Sequence, residues 1–243
     1  MKQFALSSKT IYKILTDKKI ESFHHVNTLK TSLTFIQNNA LLSRQFVEQN
    51  SLIQTAQDSD LIDKKYSIWD DIFVDGLDLH DHFNRNSPYG CIMFKIDLKL
   101  LTLPGFQEVY ITKDNPTNWH KIPEWTDRYY ANVEEFNSEY GNKGKIWDGR
   151  IMFTFKNTND KIKLNKFCKE IIVDNPHIFS SDKTKSLGHL TFNKIVNELG
   201  KNNLSHIKTT LRHSEKSLPF CWCVTNYAQM RYFNRTKLEQ FFL

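Results

Sequence analysis

Residues 23–44 read FHHVNTLKTSLTFIQNNALLSR, and this stretch decides the fold of the chain. It begins with the composition of a short strand and places two adjacent histidines, His24 and His25, near the end of that strand. Apolar residues then recur at helical spacing over residues 29–40, and either of the two polar residues before them can cap the first turn. Arg44 closes the stretch. The sequence therefore predicts a strand that turns directly into an amphipathic helix.

The composition is that of a globular protein. The chain has 243 residues, of which 40% are hydrophobic and 18 are phenylalanine, which is enough for one large domain or one domain with an appendage. The N-terminus has no uninterrupted apolar segment, and there is no run of 18 apolar residues, so we expect a soluble, cytoplasmic protein without a membrane partner. The four cysteines lack the spacing of a zinc site and are interpreted as structural thiols.

The charge is distributed unevenly along the chain. Residues 177–243 carry 10 lysines and arginines against 4 acids, whereas residues 1–176 carry 23 of each. The C-terminal part also has nine aromatic residues, so it predicts either a surface that binds phosphates and stacks bases or packed helices with basic outer faces. Residues 48–82 have the opposite bias, with nine acids against Lys64 and Lys65.

The remaining patterns predict a mixed α and β chain without repeats. Alternation of apolar and polar residues indicates a strand at residues 92–98, and four breakers make residues 102–124 loop-like. The other predicted elements are a helix at 127–140, strands at 151–155 and 167–173 joined by a polar hairpin at 156–161, and helices near 189–200 and 226–242.

The strand at 167–173 contains a single acid, Glu170. Alternation places Glu170 on one face with Cys168 and Ile172, and apolar neighbours raise the pKa of a carboxyl group. Such a group suits acid–base or charge-stabilising chemistry, although this segment taken alone favours an exposed glutamate on an edge strand. Cys168 has no recognisable activating histidine and is not interpreted as a nucleophile.

Together, these two segments resemble the ADP-ribosyltransferase superfamily, and in particular its DarT-like branch of nucleic-acid-modifying toxins. His25-Val26-Asn27-Thr28-Leu29 is similar to the turn that follows the strand histidine of that branch, and residues 169–173 are similar to its glutamate strand. The resemblance covers residues 1–176. It implies an α+β fold, with an ADP-ribosyltransferase-like split β-sheet core and flanking helices, followed by a basic, aromatic-rich helical extension over residues 177–243.

The resemblance also implies NAD as cofactor and a set of site residues. Glu170 would be catalytic, because a carboxylate on a rigid strand can stabilise the positive charge that develops on the ribose when its bond to nicotinamide breaks. The sequence has no Gly-x-Gly-x-x-Gly after a strand, so a Rossmann mode of NAD binding is not indicated. The residues predicted to bind NAD are His25, His24, Arg44 and Tyr89, with Arg85 as a second candidate cation.

The acceptor implied by the resemblance is a base of single-stranded RNA or DNA, because a base must be unstacked before an enzyme can reach it. A protein acceptor stays open. An enzyme of this type would damage its own cell, which implies an antitoxin partner or a role in antiphage defence. Rings that could receive a base precede the glutamate strand, at Trp119, Trp125, Tyr129, Tyr130, Tyr140 and Trp147.

Two other classes of function compete with this interpretation. Asp78, His80 and His82 alternate as neighbours on a strand would, and they are a workable ligand set for the metal ion of a nuclease or other hydrolase. No known hydrolase signature frames them, so no metal site is predicted. The third class is a binding module without catalysis.

Overall fold

The computed structural model describes residues 2–78, 80, 87–156, 161–176, 178–179, 186–213 and 223–243. Strands and helices are numbered in chain order within those ranges. The strands are β1 (Leu6–Ser7), β2 (Ser22–Asn27), β3 (Ala40–Leu42), β4 (Ile72–Asp75), β5 (Ile92–Asp97), β6 (Glu108–Ile111), β7 (Met152–Phe155), β8 (Lys161–Lys163), β9 (Cys168–Asn175) and β10 (Lys208–His213). The helices are α1 (Ser8–Asp17), α2 (Leu29–Gln37), α3 (Arg44–Gln49), α4 (Asp60–Lys65), α5 (Val133–Glu139), α6 (Lys145–Asp148), α7 (Leu164–Phe167), α8 (Leu187–Lys201), α9 (Cys223–Phe233) and α10 (Arg235–Phe242).

Eight of these strands form one sheet, in the order β1-β6-β7-β4-β2-β5-β9-β10. Neighbouring strands are antiparallel except β9 and β10, which are parallel. The strands β3 and β8 form a separate antiparallel pair. A large, mostly antiparallel sheet with several helices confirms the predicted α+β fold.

The sheet is split between β2 and β4. On the side away from β4, β2 pairs with β5 over its whole length. On the side away from β2, β4 pairs with β7 over its whole length. Between β2 and β4, by contrast, the register joins a single pair of residues, His24 and Asp75. Four strands therefore lie on each side of a joint that is one residue pair wide, and the two halves separate beyond it.

The main core lies on the face of the β2 half that α2 covers. The rings of Phe23, Phe94 and Phe35 are buried there, with Phe35 supplied by α2. The predicted turn from strand to helix is confirmed, because β2 ends at Asn27 and α2 begins at Leu29. The helix α8 packs beside α2 and against β9 and completes this layer.

A bulge in β9 corrects the predicted face of Cys168. Cys168 pairs with Ile96 and Glu170 pairs with Lys95, so one extra residue, Lys169, is inserted opposite a single step of β5. The bulge turns Cys168 into the core, whereas Glu170 lies on the opposite, partly exposed face. Glu170 and Cys168 thus do not share the apolar face that simple alternation predicts.

Three other predicted elements need correction. The segment 102–124 is not only a loop, because it contains β6. The strands β7 and β9 are not hairpin partners, since β7 pairs with β4 and β6 while β8 and α7 intervene before β9. The helix predicted at 127–140 is limited to α5 at Val133–Glu139, preceded by a 3-10 turn at Trp125–Arg128.

The C-terminal part is mainly helical, as predicted, with α8, α9 and α10 close to the expected positions. It also supplies β10, which the sequence reading missed and which extends the sheet beside β9. A division into two units at residue 176 therefore stays a prediction. Among the described residues, none of the helices is long and apolar enough to cross a membrane.

Candidate active site

A cleft opens where β2 leaves β4. Its empty volume is about 1260 Å³, part of which is open solvent. Apolar atoms supply most of its surface, and many polar and charged side chains also line it. All four residues predicted to bind NAD line this cleft, namely His24, His25, Arg44 and Tyr89. Arg85 lies outside the described residues.

His25 replaces the missing backbone pairing at the split. Its Nδ1 lies 2.8 Å from the carbonyl oxygen of Phe73 on β4. Because a carbonyl only accepts hydrogen bonds, Nδ1 carries the proton and Nε2 is left as the acceptor. Nε2 is buried and has no hydrogen-bond partner among the described residues. Burial lowers the pKa of His25 below 6.5, so the ring presents a neutral acceptor to a donor from a ligand.

His24 lies on the opposite face of β2, beside the carboxylate of Asp75. Burial, opposed by the negative charge of Asp78, lowers the pKa of His24 to about 4. Burial also raises the pKa of Asp75 to about 8, and Asp78 adds to this rise. Within the described part of the chain, Nδ1 of His24 and Oδ1 of Asp75 are buried without a hydrogen-bond partner. Two residues that line the cleft thus contribute further buried polar atoms without a partner among the described residues.

Replacing Asp75 by asparagine is expected to stabilise the protein more at pH 8 than at pH 4. The folded state keeps the Asp75 proton up to about pH 8, whereas the unfolded chain loses it near 3.9. Stability therefore falls as pH rises through that window, and asparagine removes the loss. We expect a gain on the order of 1–3 kcal/mol at pH 8, which is about 2–4 °C in Tm for each kcal/mol.

Melting curves at pH 4, 6 and 8 measure this difference. Asp70→Asn, at an exposed position next to the same strand, is the matched control and should change Tm little at any of these pH values. A gain for Asp75→Asn that is the same at pH 4 and pH 8 would show that the carboxyl group is ionised throughout.

Arg44 reaches the cleft from the first residue of α3, but its charge is already paired. Its guanidinium donates to both carboxylate oxygens of Asp60 at 2.6 Å and to the carbonyl oxygen of Thr55 at 3.1 Å. It also lies 5.3 Å from the centre of the Trp69 ring. Contact with a pyrophosphate stays a prediction, and Asp60 would have to share the guanidinium with it.

Tyr89 lies near the end of β2 because the next residue, Gly90, packs closely against the backbone there. Gly90 has φ +153, and a Cβ atom there would lie 2.2 Å from the backbone of Asn27 and 2.5 Å from that of Thr28. Only glycine permits this close approach, which brings Tyr89 to the point where the cleft opens. Burial raises the pKa of Tyr89 despite its hydrogen bond with Asn115, so the phenol is neutral.

Glu170 lies on the same face of the sheet as His24 but outside the cleft lining. Lys95 pairs with Glu170 on one side and with His24 on the other, which places Glu170 two strands, or about 10 Å, from His24. Thr210 and Lys208 both donate to its Oε1, the latter at 2.8 Å. The described residues give Oε2 no hydrogen bond.

The surroundings of Glu170 keep it ionised. Burial raises its pKa, but the hydrogen bonds from Lys208 and Thr210 outweigh burial, and the pKa lies below its ordinary value. The expected rise in the pKa is therefore wrong, because the bulge takes Cys168 off this face and the neighbouring strand β10 places Lys208 and Thr210 beside Glu170. The result is a carboxylate with one oxygen fixed and the other directed away from those donors.

No family model and no curated protein matches the chain. Among solved structures, it is similar to DarT from Thermus sp. 2.9 in complex with ADP-ribosylated ssDNA, at 8% identity and TM-score 0.49, over 81% of this chain and 96% of that chain. The complex with NAD+ matches at 9% identity and TM-score 0.45, over 80% and 96%. The complex with carba-NAD+ matches at 8% and 0.44, over 81% and 97%. Likeness of this degree says nothing about single side chains, whose roles depend on the contacts above.

A buried ionic network that sequence reasoning missed forms one wall of the cleft. Arg212 of β10 donates to the carboxylate of Asp78, and its Nε lies 3.9 Å from Oδ1 of Asp174. Asp174 also accepts a hydrogen bond from the hydroxyl of Tyr227 at 2.7 Å, and His80 lies 3.5 Å from it. Asp78 follows β4, so Arg212 connects the two halves of the sheet across the split.

The same network bears on the alternative metal site. Asp78 and His80 line the cleft, but Asp78 is occupied by Arg212 and His80 by Asp174, and His82 lies outside the described residues. The predicted strand alternation is wrong, because β4 ends at Asp75 and the N–H of His80 donates to Oδ1 of Asp78 at 3.1 Å. The described ranges contain no group of three or more potential ligands placed to hold a metal ion.

The rings expected to receive a base divide into two groups. Trp119, Tyr129, Tyr130 and Tyr140 are buried in the core, so they are not available for stacking. Trp125 and Trp147 are 44% and 42% exposed. None of these six rings lines the cleft.

Proposed function

We propose that this chain is an NAD-dependent mono-ADP-ribosyltransferase that modifies a base of single-stranded DNA or RNA. The DarT structures contain NAD+ and ADP-ribosylated ssDNA. We propose NAD and a single-stranded nucleic acid as the substrates of this chain.

The observation that carries the proposal is the cleft at the split, with its buried acceptors. His25 holds β2 to β4 through Nδ1, and its Nε2 is buried without a partner among the described residues, as are Nδ1 of His24 and Oδ1 of Asp75; all three residues line the cleft. Buried polar atoms without partners destabilise a protein unless a ligand or water satisfies them. A ligand with several hydroxyl and amide donors fits this cleft, and the ribose and carboxamide groups of NAD supply both.

The chain's own residues divide the chemistry between them. NAD would supply the ADP-ribosyl group, carried on the ribose carbon that is bonded to nicotinamide. His25 would accept from a ribose hydroxyl, Arg44 would offset the pyrophosphate charge, and Tyr89 would cover a ring of the substrate. Glu170, ionised and on a rigid strand, would stabilise positive charge on the ribose and orient the acceptor.

The proposed acceptor is a nucleic acid because of the charge and the aromatic rings of the C-terminal part. Residues 177–243 are basic, and exposed rings on α9 accompany that charge, which favours a nucleic acid over a protein. Because such a transfer would damage the host cell, the proposal includes a protein that restrains the enzyme, as in a toxin–antitoxin or antiphage defence system.

The first test is binding and transfer of NAD. We expect NAD to bind the wild-type protein in a calorimetric titration and His25→Leu to bind at least about tenfold more weakly, because the variant loses the acceptor in the cleft. NAD labelled in its ADP-ribose part should then transfer label to single-stranded DNA or RNA. A protein acceptor would instead retain label in a lysate treated with nucleases.

The matched control is His206→Leu, which removes an exposed histidine outside the cleft and should bind NAD as the wild type does. Near-ultraviolet circular dichroism checks that both variants fold. If NAD does not bind the wild type, or if chelator-sensitive cleavage of nucleic acid occurs without NAD, the proposed function is wrong.

A further inference from the structure

The helices α9 and α10 expose two adjacent rings. This pair of helices buries Tyr227, Phe241 and Phe242, so its inner face is accounted for by packing. Tyr232 and Phe233, in contrast, are 79% and 87% exposed at the C-terminal end of α9. Single exposed rings are common on protein surfaces, but two neighbouring rings that are almost fully exposed form a contact surface.

The surroundings of these rings suit a polyanion. Arg231 precedes them, and Arg235 and Lys237 follow on the first turn of α10. Two acids lie nearby: Arg235 contacts Glu239 at 2.7 Å, and Lys237 contacts Asp58 at 2.9 Å. Exposed ion pairs of this kind are weak and screened by salt, so a phosphate can take the place of either acid.

A groove runs from Phe233 towards the cleft. Its lining contains three amide side chains, which can donate to phosphates and pair with base edges. Pro88 lines both this groove and the cleft, so the two adjoin at that residue. The groove residues are Pro88, Asn226, Gln229, Met230, Phe233, Asn234, Lys237 and Phe241.

We infer that Tyr232 and Phe233 form a stacking platform for single-stranded nucleic acid. Bases that flank the modified base stack on the two rings, Arg231 contacts the phosphates, and the strand passes Pro88 into the cleft. This inference rests on the proposed function and assigns a second surface to its acceptor. Aromatic stacking tolerates any base, so the platform contributes affinity without sequence preference.

The test measures binding of a fluorescent single-stranded oligonucleotide by anisotropy, without NAD. The double variant Tyr232→Ala/Phe233→Ala is expected to bind DNA or RNA at least about tenfold more weakly than the wild type. Tyr232→Trp/Phe233→Trp keeps both rings and should retain the affinity. Arg231→Gln should reduce the slope of log affinity against log salt by about 1.

Phe179→Ala is the control, because it removes a ring that is 53% exposed elsewhere on the surface and should leave binding unchanged. NAD binding of the double variant should equal that of the wild type, which separates failure of the platform from failure of the proposed cofactor. Unchanged oligonucleotide affinity in the alanine variant would overturn the inference and assign the rings to a protein partner. A wild-type protein that binds NAD but no oligonucleotide would overturn it as well.

Discussion

Glu170→Gln is expected to lower transfer of ADP-ribose about 10²–10⁴-fold while NAD binding changes little. Glutamine keeps the size of the side chain and can still accept from Thr210, but it lacks the charge that stabilises a positive ribose. The pKa of Glu170 lies below its ordinary value of about 4.5. The carboxyl group is therefore ionised in any assay above about pH 4.5. Transfer should therefore show no loss from this group near neutral pH.

Initial rates with labelled NAD and a single-stranded oligonucleotide measure this effect. Glu198→Gln is the matched control, because Glu198 also contacts a lysine and has a lowered pKa but lies on α8 outside the cleft. If Glu170→Gln transfers label as fast as the wild type, the catalytic group is another acid. Asp174 lines the cleft, but Tyr227 and Arg212 already engage it.

Arg212→Leu is expected to destabilise the protein by about 3–5 kcal/mol. The side chains of Arg212, Asp78 and Asp174 are only 10%, 12% and 11% exposed, so removal of the cation leaves the buried carboxylate of Asp78 without its main partner and takes a nearby positive charge from that of Asp174. Protonation of one of them offsets part of the loss at low pH. A protein of this length loses about 2–4 °C in Tm for each kcal/mol, which makes the effect easy to measure.

Differential scanning calorimetry of Arg212→Leu and Arg235→Leu separates the effect of losing a buried ion pair from the effect of losing an arginine charge. Arg235 pairs with Glu239, but the pair is 63% and 44% exposed, so its loss should cost about 0–1 kcal/mol. Equal Tm values for the two variants would mean that the network across the split contributes no more than a surface pair.

Local sequence signals predicted the parts of the fold that depend on local contacts. The strand β2 and the helix α2 follow from alternation and helical spacing, and both form as expected. The strand β6 was hidden among the prolines and glycine around it, and β10 has polar residues on a short edge strand. The face of Cys168 depended on one inserted residue, Lys169, which no local pattern marks.

The sequence predicted the site residues that lie beside the turn from β2 to α2. It did not predict the residues that only contacts between distant parts of the chain bring into the site. His24 and His25 lie beside the turn that the sequence marks, and both line the cleft. Arg212 and Asp78 are 134 residues apart, so only the parallel addition of β10 to β9 brings them together. The one available signal was Asp78 itself, one of the nine acids of residues 48–82, and it was considered as a metal ligand only in the competing hydrolase interpretation.

The joint of one residue pair between β2 and β4 limits how far an error in register can spread. In a continuous sheet, a slip of one residue turns every side chain of a strand to the other face, and neighbouring strands must follow. Here the strand register between the β4 half and the β2 half joins a single pair of residues, His24 and Asp75, so a slip of register on one side leaves the ladders of the other intact.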